Sequence, residues 1–136
     1  MNKPLQVLIV EDSESDTILL LSLLRQAGYD PQFRRVGTPE ALRTALAAQK
    51  WDLVLSDHSM PGFDSRAALA IVRGVDRDLP FIIVSGMIGD EAAVAAMKAG
   101  AQDYLMKSNL SRLAAAVARE LDEVESRRAR REAEQA

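Results

Sequence analysis

At 136 residues the chain has one domain's worth of length, enough to bury a substantial core. Hydrophobic residues make up 48% and charged residues 27%, and a net charge of -3 provides no broad basic surface for direct nucleic-acid binding. The absence of cysteine excludes disulfides, thiolate chemistry and cysteine-held metals.

Met1-Asn2-Lys3-Pro4 leads into an apolar run that meets charge at Glu11. That run is too short for a signal peptide or a membrane span, so a cytoplasmic location with no membrane contact is expected. Residues 5–10 predict a strand. A leucine-dense helix follows over about 13–27 (Leu19, Leu20, Leu23, Leu24), with Gly28 as its C-terminal stop. Residues 31–36 read as a strand whose leading proline and two arginines place it at an edge. Thr38-Pro39-Glu40 combines an N-cap, a first-turn proline and a first-turn acid; its helix runs to about Lys50, with Leu42, Ala45 and Leu46 inward.

The next strand is the one that matters most. Leu53, Val54 and Leu55 read as a strand buried on both faces, yet the run ends in Asp57 and a Pro61-Gly62 turn follows at once. Asp64 or Ser65 then caps a helix carrying Leu69 and Val72 that ends near Gly74. Residues 80–85 form another apolar strand. Asp90 is expected to cap an alanine-rich helix over 91–99, stopped by Gly100, and residues 103–106 form a last short strand ending at Lys107. From Asn109 onward Leu110, Leu113, Ala114, Val117, Leu121 and Val124 make one helical stripe. If that helix reaches about Arg131, it spans about 35 Å, longer than the sheet needs.

Strands alternating with helices predict an α/β fold, a parallel sheet with helices on both faces. Open sheets of this kind build their sites at the carboxyl ends of the strands. Those ends carry Glu11 and Asp12 on the first strand, Asp57 on the third, Ser85 on the fourth and Lys107 on the fifth. In a doubly wound sheet ordered 2-1-3-4-5 the first and third strands would be neighbours and three carboxylates would converge, a crowding that destabilises the fold unless a cation intervenes. An oxygen-only ligand set suits a hard ion, and Mg²⁺ fits because it keeps positions open for water or phosphate. The lysine ammonium and serine hydroxyl suit phosphate oxygens, and a carboxylate can accept a phosphoryl group covalently. Asp57 therefore reads as the nucleophile, Glu11 and Asp12 as metal ligands, Lys107 and Ser85 as phosphoryl clamps.

Val10-Glu11-Asp12, Asp57 with Met60-Pro61-Gly62, Ser85 and Lys107 together resemble the receiver domain of two-component response regulators, over roughly residues 5–120. The resemblance implies the flavodoxin-like strand order 2-1-3-4-5. It implies a histidine kinase or phosphotransfer protein as donor to Asp57, and Mg²⁺ held by Glu11, Asp12, Asp57 and the main-chain carbonyl of Ser59. It also implies a switch in which Tyr104 turns inward as Ser85 moves, altering a surface around the fourth helix, fifth strand and fifth helix for a downstream output domain or protein. Two positions depart from the family pattern: Ser108 follows Lys107 where proline is usual, and Gly86 follows Ser85 where alanine is commoner.

Each residue also has a plainer reading. Glu11-Asp12 could serve only the dipole of the first helix, Lys107 the surface, Ser85 a loop cap and Tyr104 the core. His58 is expected to face solvent, since neighbours along an extended segment point opposite ways, and Met60 to pack in its loop. The alanine-rich fourth helix buries little apolar area, so it is expected to be weakly anchored and to shift on phosphorylation. Residues 1–124 are expected to form the receiver and 125–136 a charged helical tail or linker, which frays in solvent, continues into an output domain or pairs two copies as a homodimer. Such a chain turns over no diffusible substrate and is not an ordinary enzyme. A receiver that works only by protein contact, without phosphate, is disfavoured by the complete acid, serine and lysine set, and two further rivals stand, the second of them on the same topology. A phosphohydrolase with an aspartate nucleophile commonly needs a second acid where this chain has Ser59. A flavin module would set phosphate against the acidic loop 11–16.

Overall fold

The computed structural model describes residues 2–60, 62–86 and 90–135. The strands β1 (Lys3–Val10), β2 (Tyr29–Val36), β3 (Leu53–Asp57), β4 (Phe81–Ser85) and β5 (Asp103–Met106) form a five-stranded sheet. All its pairings are parallel, and the order is β2-β1-β3-β4-β5, the 2-1-3-4-5 order expected. Helices α1 (Glu14–Gln26), α2 (Pro39–Ala48), α3 (Ser65–Val75), α4 (Asp90–Lys98) and α5 (Leu113–Gln135) alternate with the strands. A separate two-residue antiparallel pair, Ser59–Met60 with Phe63–Asp64, folds over the end of β3.

Because successive strand side chains point to opposite faces, the apolar strands feed two cores. Leu8, Val10, Val54, Phe81 and Ile83 pack with Leu42 and Ala45 of α2, Leu69 and Val72 of α3 and Ala96 of α4. On the other face Val7, Ile9, Leu53, Leu55, Ile82, Val84 and Leu105 pack with Leu20, Leu21 and Leu24 of α1 and with Leu113, Ala116 and Val117 of α5. β2 is the expected edge: only Pro31 and Val36 are buried, and Phe33 is 47% exposed.

The helix ends follow local chemistry. Ser13, Thr38 and Asp64 are the N-caps of α1, α2 and α3, each side chain accepting from a first-turn N–H. A cap of this kind is worth about 1 kcal/mol. Gly28 and Gly100, with φ of 98° and 108°, hold the left-handed turns that stop α1 and α4, a conformation in which a Cβ is strained. The expected Asp90 cap rests on a side chain outside the described residues, as does the Pro61 half of the turn after β3; Gly62 has φ of 70°.

Two expectations are corrected. Ala114 is exposed and Glu120 takes a buried place on the inward face of α5, because that helix begins at Leu113, rather than near Asn109, and turns so as to bury Leu113, Ala116 and Val117. His58 does not face solvent: it is half-buried, its Nδ1 2.8 Å from Oγ of the fully buried Ser65. The tail beyond Val124 is helical to Gln135 and exposed apart from the half-buried Arg127, with Arg127 and Arg131 both paired with Asp78 in the α3–β4 loop.

Candidate functional site

The strand register assembles the site. Val10 pairs with Val36 on one side and Ser56 on the other, so Glu11 leaves β1 level with the end of β3. Asp57 is level with Val84, and Ser85 with Met106. Glu11, Asp12, Asp57, Ser85 and Lys107 therefore emerge along one edge of the sheet. Each offering one carboxylate oxygen, Glu11, Asp12 and Asp57 come within 4.8 Å of one another.

Glu11 is buried, 1% exposed, and is held at both oxygens. Oε1 accepts from the Ser13 N–H at 3.1 Å and Oε2 from Lys107 Nζ at 2.9 Å. Burial pushes its carboxyl above the usual range; the Lys107 and Ser13 hydrogen bonds oppose that, and the Asp57 charge adds to it. Asp57 is half-buried and Asp12 is exposed, so the cluster opens to solvent on the Asp12 side.

Lys107 crosses back over the strand ends into this cluster. Its ammonium lies 2.9 Å from Glu11, 2.7 Å from Asp16 and 3.6 Å from Asp57. Burial works against the charge, but the hydrogen bonds to Asp16 and Glu11 outweigh it and hold the Lys107 pKa above its ordinary value. The main chain fixes its root: the Lys107 N–H donates to the Ser85 carbonyl at 2.7 Å, and the Asn109 N–H to the Met106 carbonyl at 2.9 Å. With Ser108 in the place of proline, residues 106–109 close as a tight turn, and the described peptide bonds are all trans. Among the described residues a Cβ on Gly86 would touch the Lys107 side chain, at 4.0 Å, an ordinary contact that alanine could make.

Ser85 is buried at the end of β4. Tyr104, 8% exposed, points inward, its ring centroid 5.7 Å from that of His58 and tilted by 48°. Its hydroxyl is buried. Burial raises the phenol pKa; Ser85 pulls it down and the Asp57 charge raises it further. Ser59 lies two residues past Asp57, its strand pairing it with Asp64.

The structure thus brings Glu11, Asp12, Asp57 and Lys107 together and sets Ser85 on the neighbouring strand. Sequence reasoning missed Asp16. It entered only as one member of the acidic loop 11–16, and its place in the first turn, three residues after the Ser13 cap, is the signal that could have found it. The aromatic contact of His58 was also missed.

A sequence profile of the response regulator receiver domain matches residues 7–118. The chain belongs to the response regulator receiver domain family. As a receiver of two-component signal transduction it is similar to the response regulator protein FleR of Pseudomonas aeruginosa PAO1, 35% identical over 102 residues, covering 75% of this chain and 21% of that protein. The receiver thus spans about a fifth of that relative's length. A signal receiver domain of a histidine kinase from Syntrophus aciditrophicus is 29% identical, with a TM-score of 0.74, covering 88% of this chain and 92% of that one. The receiver domain of a sensor histidine kinase from P. aeruginosa PAO1, whose crystal structure has a magnesium ion coordinated in its active-site cleft, shares the fold at 22% identity, TM-score 0.73, covering 88% and 98%. Membership in this family sets aside the phosphohydrolase and flavin-module readings of the topology.

Proposed function

We propose that this receiver accepts a phosphoryl group onto Asp57 from a phosphohistidine on a histidine kinase or phosphotransfer protein. The observation that carries this reading is the cluster itself: three carboxylates within 4.8 Å, with an ammonium group drawn in among them. Like charges so close need a cation, and Lys107 already answers part of that need. The donors are all oxygen, which fits a hard divalent ion, so Mg²⁺ would be held by Glu11, Asp12, Asp57 and the main-chain carbonyl of Ser59. When bound, the ion neutralises charge on the phosphoryl oxygens.

In the proposed step an Asp57 carboxylate oxygen attacks phosphorus. The P–N bond to the donor histidine breaks, its electron pair returns to the imidazole, and a mixed anhydride forms on Asp57. Lys107 holds one phosphoryl oxygen and the Ser85 hydroxyl another. Hydrolysis of the anhydride by water restores the carboxylate, so the chain acts on its own adduct and not as an enzyme with a diffusible substrate. Tyr104 and Ser85 serve as the switch pair, reporting to the surface of α4, β5 and α5.

Residues 1–124 form the receiver body and residues 125–136 its charged tail, leading to an output domain or protein or pairing two copies. No helix among the described residues is long and apolar enough to cross a membrane, and the proposed setting is the cytoplasm, where the phosphohistidine donors act. The test is incubation with a small phosphodonor and Mg²⁺ followed by intact-mass measurement. One labile phosphoryl adduct is expected, abolished by chelation and absent from Asp57→Asn. An adduct of the same size in Asp57→Asn contradicts the proposal.

A further inference from the structure

The shortest contact of the Lys107 ammonium is to Asp16, at 2.7 Å, against 2.9 Å to Glu11 and 3.6 Å to Asp57. Asp16 stands in the first turn of α1 and offers no oxygen to the Glu11, Asp12 and Asp57 cluster. Its side chain is 35% exposed, against 1% for Glu11 and 11% for Asp57. Its position is nonetheless firm. The Asp16 N–H donates to Ser13 Oγ at 3.2 Å, and the next residue, Thr17, is buried and donates its hydroxyl to the Ser13 carbonyl at 2.9 Å. Ser13 also donates its own N–H to Glu11. One N-cap therefore fixes both carboxylates that grip the lysine.

We infer that Asp16 is a positioning residue for Lys107: it gives the ammonium a partner outside the cation cluster, so that a divalent ion can take Glu11 and Asp57 without leaving the lysine unpaired. The inference rests on the cation site proposed above. A divalent ion at the cluster repels an ammonium 2.9 Å from one of its ligands, and Glu11 cannot serve both fully. Asp16 remains free to hold the lysine when that happens. Without it, the half-buried ammonium has, among the described residues, Glu11 and Asp57 left to pair with and competes with the ion for them.

The test is a double-mutant cycle read by calorimetric titration with Mg²⁺ alone, with no phosphodonor, at about 0.15 M ionic strength so that distant charges are screened. Asp16→Asn is expected to weaken Mg²⁺ binding about fivefold, and Asp16→Glu to restore most of it, by analogy with other coupled ion pairs. In a Lys107→Met background the same Asp16→Asn change is expected to alter affinity by less than about twofold, because the competing ammonium is gone. A thermal melt of each variant checks that it is folded. Equal affinities for wild type and Asp16→Asn overturn the inference, as does a loss that persists undiminished in Lys107→Met, which would mark a plain charge effect. If the wild-type chain binds no Mg²⁺, the cation site falls and the inference with it.

Discussion

At the scale of single residues the site is a balance of charge, and each partner's removal has a predictable sign. Lys107→Met leaves the cluster of carboxylates without its internal cation. Because Lys107 keeps 18% exposure, the loss is put at about 2 kcal/mol, below the value for a fully buried pair. The metal-free variant should melt lower than wild type, and Mg²⁺ should raise its Tm by more than it raises the wild type's; an equal Mg²⁺ increment would contradict the balance. His58→Ala removes the ring against Tyr104 and leaves the buried Ser65 hydroxyl without its 2.8 Å partner. A destabilisation of about 1–2 kcal/mol is expected, with changed NMR shifts for the Tyr104 ring. Glu120 is 4% exposed with Oε2 buried, and burial, then the Glu123 charge, raises its carboxyl pKa above 4.5. For an acid raised in the folded state the penalty is absent below pH 4.5 and develops as pH rises through the folded pKa. Glu120→Met should therefore stabilise the protein at pH 7 by about 1 kcal/mol, about 3 °C in Tm, and the gain should vanish below about pH 4.5. A gain independent of pH would refute this.

At the scale of elements, the readable parts of the sequence were those with strong local chemistry. The apolar strands, the Thr38-Pro39-Glu40 helix start and the glycine stops at Gly28 and Gly100 are local signals, and they match the structure. What was illegible depends on how elements meet. The start of α5 follows from the tight turn at residues 106–109, which no periodicity reveals. The path of its tail follows from Asp78, some 50 residues upstream, meeting Arg127 and Arg131. Asp78→Ala should speed hydrogen exchange over residues 125–135 while leaving global stability within about 0.5 kcal/mol, as expected for exposed pairs. Unchanged exchange would show the tail held by something else. α4 bears out the reading of poor burial: among its described side chains only Ala96 is buried, while Val94 and Met97 are 52% and 45% exposed. α1 buries Leu20, Leu21 and Leu24, worth about 2 kcal/mol each against about 0.8 for one methyl. Amides of α4 should accordingly exchange faster than those of α1, and equal protection would count against weak anchoring.

At the scale of the whole molecule, a parallel sheet ordered 2-1-3-4-5 delivers side chains from β1, β3, β4 and β5 to one edge. The candidate site was legible for that reason: Glu11, Asp12, Asp57, Ser85 and Lys107 each end or follow an apolar run, so a one-dimensional pattern maps onto one three-dimensional edge. Asp16 was not, because it stands inside a helix and reaches the site only through the length of a lysine from the far side of the sheet. The central claim is that this edge directs a phosphoryl group to one carboxylate. It is tested most directly by treating the phosphodonor-reacted, Mg²⁺-loaded protein with borohydride, which reduces an acyl phosphate to the alcohol, and mapping the product by peptide mass. The account predicts homoserine at position 57 alone; reduction at any other acid, or no reduced residue despite a phosphoryl adduct, would contradict it.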